Sequence, residues 1–372
     1  MKQYPVRLTR YLYFLDEAIY TLQDRLVHKN GDGFKEIIWW CGEIYYSGFY
    51  DELWDFIFSF YYNFKCIIYP KYEKMLCRFY EYFQIKPELH FFILALKLLY
   101  RGRCDFNVFT KWNEDTSSII FFAGRLPKWL KQLDVKKSER NVARSIHKKN
   151  YTNILYYIKN GEINSLYELI TSYFTVIHGI NLSEKIINTV PYSNKRHILF
   201  ALVCYLYQPI ETIEKEEINI KLDKDEYEHD INKDNEQVIP AYKTLGSRLR
   251  YPISDNIGCF PLKRNTCNYK EIYRHHWEYY AYDTPLWKKR FDKYNITTDQ
   301  INKKICFNND LDYEEFCEKY YFESDEQLRE IQEFSIKNIP KITLKKWCDN
   351  NILINKLKTI KTENIIISHN DL

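Results

Sequence analysis

The stretch 34–83, FKEIIWWCGEIYYSGFYDELWDFIFSFYYNFKCIIYPKYEKMLCRFYEYF, decides the fold of this 372-residue chain. Half of the residues from Trp39 to Phe64 are aromatic. Apolar side chains recur at helical spacing on both sides of Ser47-Gly48, a pair that is typical of a turn. The stretch therefore predicts a helical hairpin that is buried on several faces, and we expect other helices to pack on it.

The segments on either side of this hairpin are also helical in pattern. Gly and Pro are scarce, at 10 and 11 residues, which disfavours a turn-rich all-β architecture. The first 210 residues therefore predict a large helical array. Its further helices are expected over 4–28, Lys71–Phe83, Leu89–Tyr100, Ile119–Leu133 with a break near Gly124 and Pro127, Ser138–Gly161, from Ser165 to about His178, and Lys195–Gln208.

The charge pattern predicts where this N-terminal domain (1–210) ends. Residues 211–238 carry 11 acidic and 4 basic side chains and few apolar ones, which is typical of an acidic linker or mobile loop. Residues 239–372 have an irregular start and then predict a smaller α-rich C-terminal module. The fold class is therefore mostly α. Helix-capping signatures are read at Ser165–Glu168, Thr297–Gln300, Asp312–Glu315 and Ser324–Gln327.

Cysteine usage and hydropathy indicate the compartment. The ten cysteines are scattered without a CxxC pair, and several lie in apolar helical stretches, which favours free thiols in a reducing compartment. No stretch holds the roughly 20 apolar residues of a membrane span, so we expect no membrane insertion. Asp16 and Glu17 interrupt the apolar run near the N-terminus, so we also expect no signal peptide.

The sequence lacks the motifs that announce common enzymes. It contains no phosphate-binding glycine loop, no HExxH, no GxSxG and no protein-kinase signature. These absences favour a protein that is not an enzyme and that needs no cofactor, and no catalytic residue is assigned.

A basic segment, 125–149, is the main candidate for a binding site, with a local charge of +7 in a chain of net charge +4. On a helix, Lys137, Arg140 and Arg144 would form a cationic stripe that continues to Lys148 and could neutralise phosphates. Alternatively, this face is simply solvated, or it pairs with the acidic linker. The candidate nucleic-acid-binding residues are Arg125, Lys128, Lys131, Lys136, Lys137, Arg140, Arg144, Lys148 and Lys149.

Residues 274–290 mix aromatic and basic side chains a second time, around Trp277, Tyr279 and Tyr280. Exposed rings among cations are suited to stacking on single-stranded bases. The helical spacing of the rings equally fits a buried core.

Two sets of residues are weak candidates for metal ligands. Cys259, Cys267, His275 and His276 lie within 18 residues of one another and are of the types that bind zinc. Their wide spacing equally fits buried thiols and two polar histidines. Paired acids at Glu216/Glu217, Asp223/Asp225 and Asp310/Asp312 could hold Mg²⁺, although Asp312 also fits a helix cap.

Two motifs resemble an uncharacterised protein family of large (nucleocytoplasmic) DNA viruses of eukaryotes. The first is Trp39–Phe49, followed by Trp54 and Tyr61-Tyr62, and the second is Asp255–Gly258, followed by His276–Tyr280 and Thr284–Lys288. The resemblance covers about a quarter of the chain and implies no activity. It implies an intracellular setting, in the host cytoplasm, the virus factory or the virion.

The sequence-based hypothesis that we place first is a non-enzymatic structural or protein-interaction subunit of a viral assembly, with viral or host protein partners. The second is a nucleic-acid-binding accessory factor in viral replication or transcription that uses residues 125–149. The third is a metal-dependent enzyme with its metal near Cys259–His276.

Overall fold

A computed structural model describes residues 4–29, 32–116, 119–123, 125, 128, 139–178, 190–208, 251–320 and 336–351. The described chain is mostly helical, as predicted. The helices are α1 Leu15–His28, α2 Phe34–Tyr46, α3 Tyr50–Phe64, α4 Tyr72–Ile85, α5 Leu89–Tyr100, α6 Asn107–Trp112, α7 Arg140–His147, α8 Tyr151–Asn160, α9 Ile163–His178 and α10 Lys195–Leu206. After residue 250 come α11 (Tyr269–Glu271, a π turn over Ile272–His276, and Trp277–Ala281), α12 Pro285–Phe291, α13 Asp310–Tyr320 and α14, 344–351.

The described residues group into two compact units that interleave along the chain. The first unit takes its residues from 1–53, 88–100 and 220–372, and the second takes its residues from 54–87 and 101–219. This grouping differs from the predicted division into 1–210 and 239–372, because α1 contacts the 3₁₀ turn Asp255–Cys259. The predicted acidic linker, 211–238, lies outside the described residues.

The aromatic stretch forms the two predicted helices, α2 and α3. The chain turns between them at Gly48, whose φ of 80° lies in the left-handed region that glycine adopts without strain. Helix α2 packs on α1 and α5, whereas α3 belongs to the second unit from Trp54 onward. The apolar pattern of the sequence predicts that these helices are buried, but it does not predict which helices pack against them.

Three of the capping predictions fall on described residues, and all three need correction. Helix α9 begins two residues before Ser165, with the Glu162 carboxylate accepting the Ser165 backbone N–H. Residues Thr297–Gln300 do not start a helix. In α13, the side chain of Asn309 accepts the Asp312 N–H at 2.8 Å, so Asp312 is not the cap. Ser324–Gln327 lies outside the described residues.

Strands β1 (Ile296–Asp299) and β2 (Lys304–Phe307) form an antiparallel pair, which is the only sheet in the described part of the chain. The Asp299 carboxylate accepts the backbone N–H of Asn302 and stabilises the turn. Phe307 contacts Phe316 of α13, which stacks on Phe291 at 4.7 Å. The two strands thus cover a small aromatic core.

Helix α1 lies inside the first unit and carries three buried carboxylates, Asp16, Glu17 and Asp24. Asp24 accepts hydrogen bonds from Ser254 Oγ at 2.7 Å and Trp347 Nε1 at 2.9 Å, and His28 Nδ1 lies 2.8 Å from it. Burial opposes its ionisation, but these hydrogen bonds hold the pKa of Asp24 below its ordinary value. The carboxylate therefore joins α1 to two segments that are more than 200 residues away in the sequence.

The first turn of α1 is held in the same way. The Asp16 carboxylate accepts the backbone N–H of Lys263 at 2.5 Å, and Glu17 forms an ion pair with Arg264. Arg264 also donates to the carbonyl oxygen of Lys337 at 2.5 Å. Burial raises the pKa of Glu17 to about 7 in spite of the neighbouring guanidinium.

A buried cation plays the corresponding role in the second unit. Lys65, at the end of α3, is fully buried, and its ammonium donates to the carbonyl oxygens of Arg101, Gly102 and Arg103 at 2.7–3.1 Å. The hydroxyl of Tyr69 accepts the Arg103 N–H at 3.1 Å. The lysine thereby replaces the water that three consecutive carbonyl groups would otherwise need.

We expect Asp24→Asn to lower the free energy of unfolding by roughly 1–3 kcal/mol at pH 7, because the buried amide cannot accept all the hydrogen bonds that the carboxylate accepts from Ser254 and Trp347. Because the folded-state pKa of Asp24 is depressed, its contribution is present above the unfolded pKa and is lost as pH falls through the folded one. The difference between variant and wild type should therefore shrink towards pH 3. Urea titrations of both proteins at pH 7 and pH 3 measure this difference in the free energy of unfolding.

Glu81→Gln is the matched control for Asp24→Asn, since Glu81 is exposed on α4 and its neutralisation should change stability by less than about 0.5 kcal/mol. A difference between Asp24→Asn and wild type that is equally large at pH 7 and pH 3 would contradict a role for the ionised carboxylate.

Candidate nucleic-acid interface

The described part of the basic segment is centred on α7. Arg140 is exposed, Arg144 is half-buried, and Lys148 follows the last turn and is exposed. The predicted stripe is therefore only partly present, because the inner face of α7 buries Val142 and Ile146 and also takes in part of Arg144. Lys131, Lys136 and Lys137 lie outside the described residues. Arg125, Lys128 and Lys149 are exposed.

Residues 119–123 do not continue the helix that we predicted over Ile119–Leu133, and the prediction is wrong there. The segment is bound instead by two buried asparagine side chains, Asn141 of α7 and Asn153 of α8. Asn153 Oδ1 accepts the Ile120 N–H at 3.0 Å, and Asn141 Oδ1 accepts the Phe122 N–H at 2.9 Å. Both amide groups donate back to the Ile120 carbonyl, at 2.6 and 3.1 Å. The two carboxamides thus form the hydrogen bonds with the backbone N–H and C=O groups of this segment that a neighbouring strand would otherwise form.

The two asparagines are themselves fixed by a polar network. Asn153 Nδ2 donates to Ser145 Oγ at 3.2 Å, and Ser145 Oγ donates to the Asn141 carbonyl at 2.7 Å. Asn141 Nδ2 also donates to the Tyr157 hydroxyl at 3.0 Å. The side chain of Asn150 caps α8 by accepting the Asn153 N–H. Segment 119–123 is therefore held on a rigid two-helix support.

The clamped segment carries one exposed aromatic ring, and the ring that follows it in the chain lies under a cation. Phe121 is 77% exposed, whereas the ring of Phe122 lies 4.2 Å below the ammonium of Lys148. Lys149 lies 5.3 Å from the ring centroid of Tyr207. We call the exposed side chains of 119–123 and α7, together with Lys148 and Lys149, the α7 surface. It combines an open aromatic face with positive charge, and both are features of surfaces that bind single strands.

The second basic-aromatic mixture, 274–290, is largely core. Trp277 and Trp287 are buried and pack edge to face at 4.7 Å, and Trp287 Nε1 donates to the Arg10 carbonyl at 2.9 Å. Tyr279 is half-buried and lies below the ammonium of Lys303. These rings stabilise the first unit, which is the alternative that the helical spacing had left open.

The candidate metal ligands are not brought together. Among the described residues, no three His, Cys, Asp or Glu side chains are grouped to hold a metal ion. The Cys259 and Cys267 thiols each donate to a nearby backbone carbonyl, and the His276 ring bonds to the Lys303 carbonyl at 3.0 Å. Burial raises the pKa of Cys259 to about 12, so this thiol is a poor metal ligand as it stands. The acid pairs at 216/217 and 223/225 lie outside the described residues.

Comparison with protein-family models, with curated proteins and with solved structures finds no match to this chain. No helix in the described ranges is long and apolar enough to cross a membrane. The α7 surface therefore has to be interpreted from its own chemistry.

Sequence reasoning found the cations of this surface but missed its aromatic part. Asn141 and Asn153 are the residues that could have indicated it, because both lie among the apolar positions of amphipathic helices. A buried amide needs hydrogen-bond partners, and in these helices the backbone is already paired. Such positions therefore predict that a further segment docks there.

We expect Asn141→Ala to loosen segment 119–123, because the Phe122 N–H loses its acceptor. Loss of one buried hydrogen bond costs about 1–1.5 kcal/mol, so hydrogen exchange at Phe122 should accelerate roughly tenfold. Asn160→Ala, on the exposed end of α8, is the control and should leave exchange in 119–123 unchanged. Equal exchange at Phe122 in Asn141→Ala and wild type would show that the clamp does not hold this segment.

Proposed function

We propose that this protein binds single-stranded nucleic acid through the α7 surface, as a non-catalytic accessory factor in viral replication or transcription. The observation that carries the proposal is Phe121, a highly exposed ring on a backbone that two buried asparagines hold in place. The viral setting rests on the resemblance of the two sequence motifs to proteins of large DNA viruses.

Stacking supports a single-stranded ligand rather than a duplex. An unstacked base has an open π face that can lie on Phe121, whereas the bases of a duplex are already stacked on one another. Because the segment is clamped before binding, little conformational entropy is lost when a base settles on the ring.

Electrostatics supports a polyanion. Arg140, Lys148 and Lys149 are exposed in the described part of the basic segment, and Arg125 and Lys128 belong to the same sequence cluster. Each cation that neutralises a phosphate releases a counterion, so affinity should fall steeply with salt. The cation–π contact of Lys148 places one ammonium over Phe122, the residue that follows Phe121 in the chain.

The test is fluorescence anisotropy with labelled single-stranded and duplex oligonucleotides across a salt series. We expect Phe121→Ala to weaken single-strand binding by about 1–3 kcal/mol, or roughly 5–150-fold, with little change in the salt slope. Arg140→Gln and Lys148→Gln should each lower the salt slope by about 0.7 for a single strand.

Ile85→Ala and Lys74→Gln are matched controls, since Ile85 is a strongly exposed apolar residue and Lys74 an exposed lysine, both on α4. Neither variant should alter affinity. Tighter binding of duplex than of single strand, or Phe121→Ala binding as wild type does, would count against the proposal.

A second candidate function is the protein-interaction subunit of a viral assembly, and exposed apolar side chains in the first unit favour it. Ile301, Leu311 and Tyr313 are 90%, 75% and 44% exposed within thirteen residues. Large apolar side chains that remain exposed are frequent at protein interfaces. A folded protein that binds no oligonucleotide at low salt would place this function first.

A further inference from the structure

The second unit contains a cavity of about 180 Å³ between α3, α4 and α10. Tyr61 and Tyr62 of α3, Glu73 of α4 and Tyr205 of α10 contribute to its wall, and Ile198 and Leu202 supply aliphatic surface. The cavity is partly open to solvent. An apolar cavity of roughly 150 Å³ holds a benzene-sized molecule, so the volume of this one suffices for a small organic ligand. It is separate from the residues of the α7 surface.

The polar group that gives this cavity its chemistry is the Glu73 carboxyl. Its Oε2 accepts the Tyr62 hydroxyl at 3.0 Å, and within the described ranges Glu73 forms no ion pair. Neither Glu73 oxygen is among the described buried polar atoms that lack a partner, so Oε1 is not closed off and can accept from a cationic ligand. Burial raises the pKa of Glu73 although the Tyr62 hydrogen bond opposes this, which is the direction expected when no cation is near.

The aromatic lining points to the same kind of ligand. The rings of Tyr61 and Tyr62 are adjacent, and the Tyr61 hydroxyl donates a hydrogen bond to the Pro70 carbonyl at 3.3 Å. The negative faces of tyrosine rings attract organic cations, and the attraction is strongest where water is excluded. Tyr205 adds a third ring from the opposite helix.

We propose that this cavity binds a small organic ammonium ion, with the cationic nitrogen on Glu73 and among the tyrosine rings, and the hydrocarbon part against Ile198 and Leu202. The ligand class follows from the combination of one unpaired carboxyl, three aromatic rings and a volume that admits only a small molecule. An anion would meet the Glu73 carboxylate, and a neutral apolar molecule would leave it unpaired.

The experiment is isothermal titration calorimetry of the full chain with tetramethylammonium and n-butylammonium, each compared with a neutral isostere, tert-butanol and n-butanol. We expect saturable binding of at least one of the two cations and at least tenfold weaker binding of its isostere. Glu73→Gln, which keeps the volume of the side chain, should weaken cation binding at least tenfold. Tyr205→Leu should weaken it by about 2–30-fold, the range of one cation–π contact.

The control variant is Glu81→Gln, which removes an exposed carboxylate from the same helix and should bind the cations as wild type does. Circular dichroism and a thermal melt establish that each variant is folded before titration. Equal binding of cation and isostere, unchanged binding in Glu73→Gln, or no saturable binding of either cation to the wild-type protein would each overturn the proposal.

Discussion

The first unit depends on the requirement that the carboxylates of α1 be paired after they are buried. A helix whose residues are almost all inside the protein cannot leave Asp16, Glu17 and Asp24 to water. Their partners are the backbone and side chains of Ser254, Lys263 and Arg264, with Trp347 beyond them. An apolar contact could be met by many segments, but a hydrogen-bonded carboxylate accepts only certain donors at certain positions. The discontinuous path of the chain through this unit follows from that restriction.

The second unit obeys the same rule with different groups. Lys65 fills a ring of three backbone carbonyls, and Asn141 and Asn153 pair the backbone of 119–123. In each case a single polar side chain inside an aromatic or aliphatic helix determines which loop can dock against it. The aromatic residues supply most of the buried area and the driving force, whereas these few polar groups select one arrangement among many that would bury similar area.

These observations also show how far the sequence can be read. The first helix begins at Leu15 and not at residue 4, and Ser138–Gly161 forms two helices, but most of the other helix positions were predictable, because apolar periodicity over ten or more residues leaves few alternatives. The grouping into units was not, because Asp16 and Glu17 in a first turn look like ordinary residues that favour the helix dipole, and their burial becomes visible only with Arg264 and Lys263 in place. Thr297–Gln300 matches a capping signature, yet Ile296 pairs with Phe307 to cover an aromatic core, and that tertiary contact overrides the local pattern. At the α7 surface the cations could be counted from the sequence, but the exposure of Phe121 could not.

The exposure of Phe121 is informative because the residues on either side of it make specific contacts with the rest of the unit. Phe122, the next residue, has an ammonium over its ring, and Ile120 has its backbone bound on both sides by asparagine amides. A segment that is held at its backbone cannot easily turn a large apolar side chain into the interior, so the ring remains exposed to water. The exposure of this apolar surface is unfavourable in free energy. A ligand with a flat face that stacks on the ring removes this surface from water. Little conformational entropy is lost on binding, because the backbone of the segment is already held in place. The exposed ring of Phe121 and the exposed cations of the α7 surface thus match the two groups, a flat base and a charged phosphate, that a single strand offers in every nucleotide.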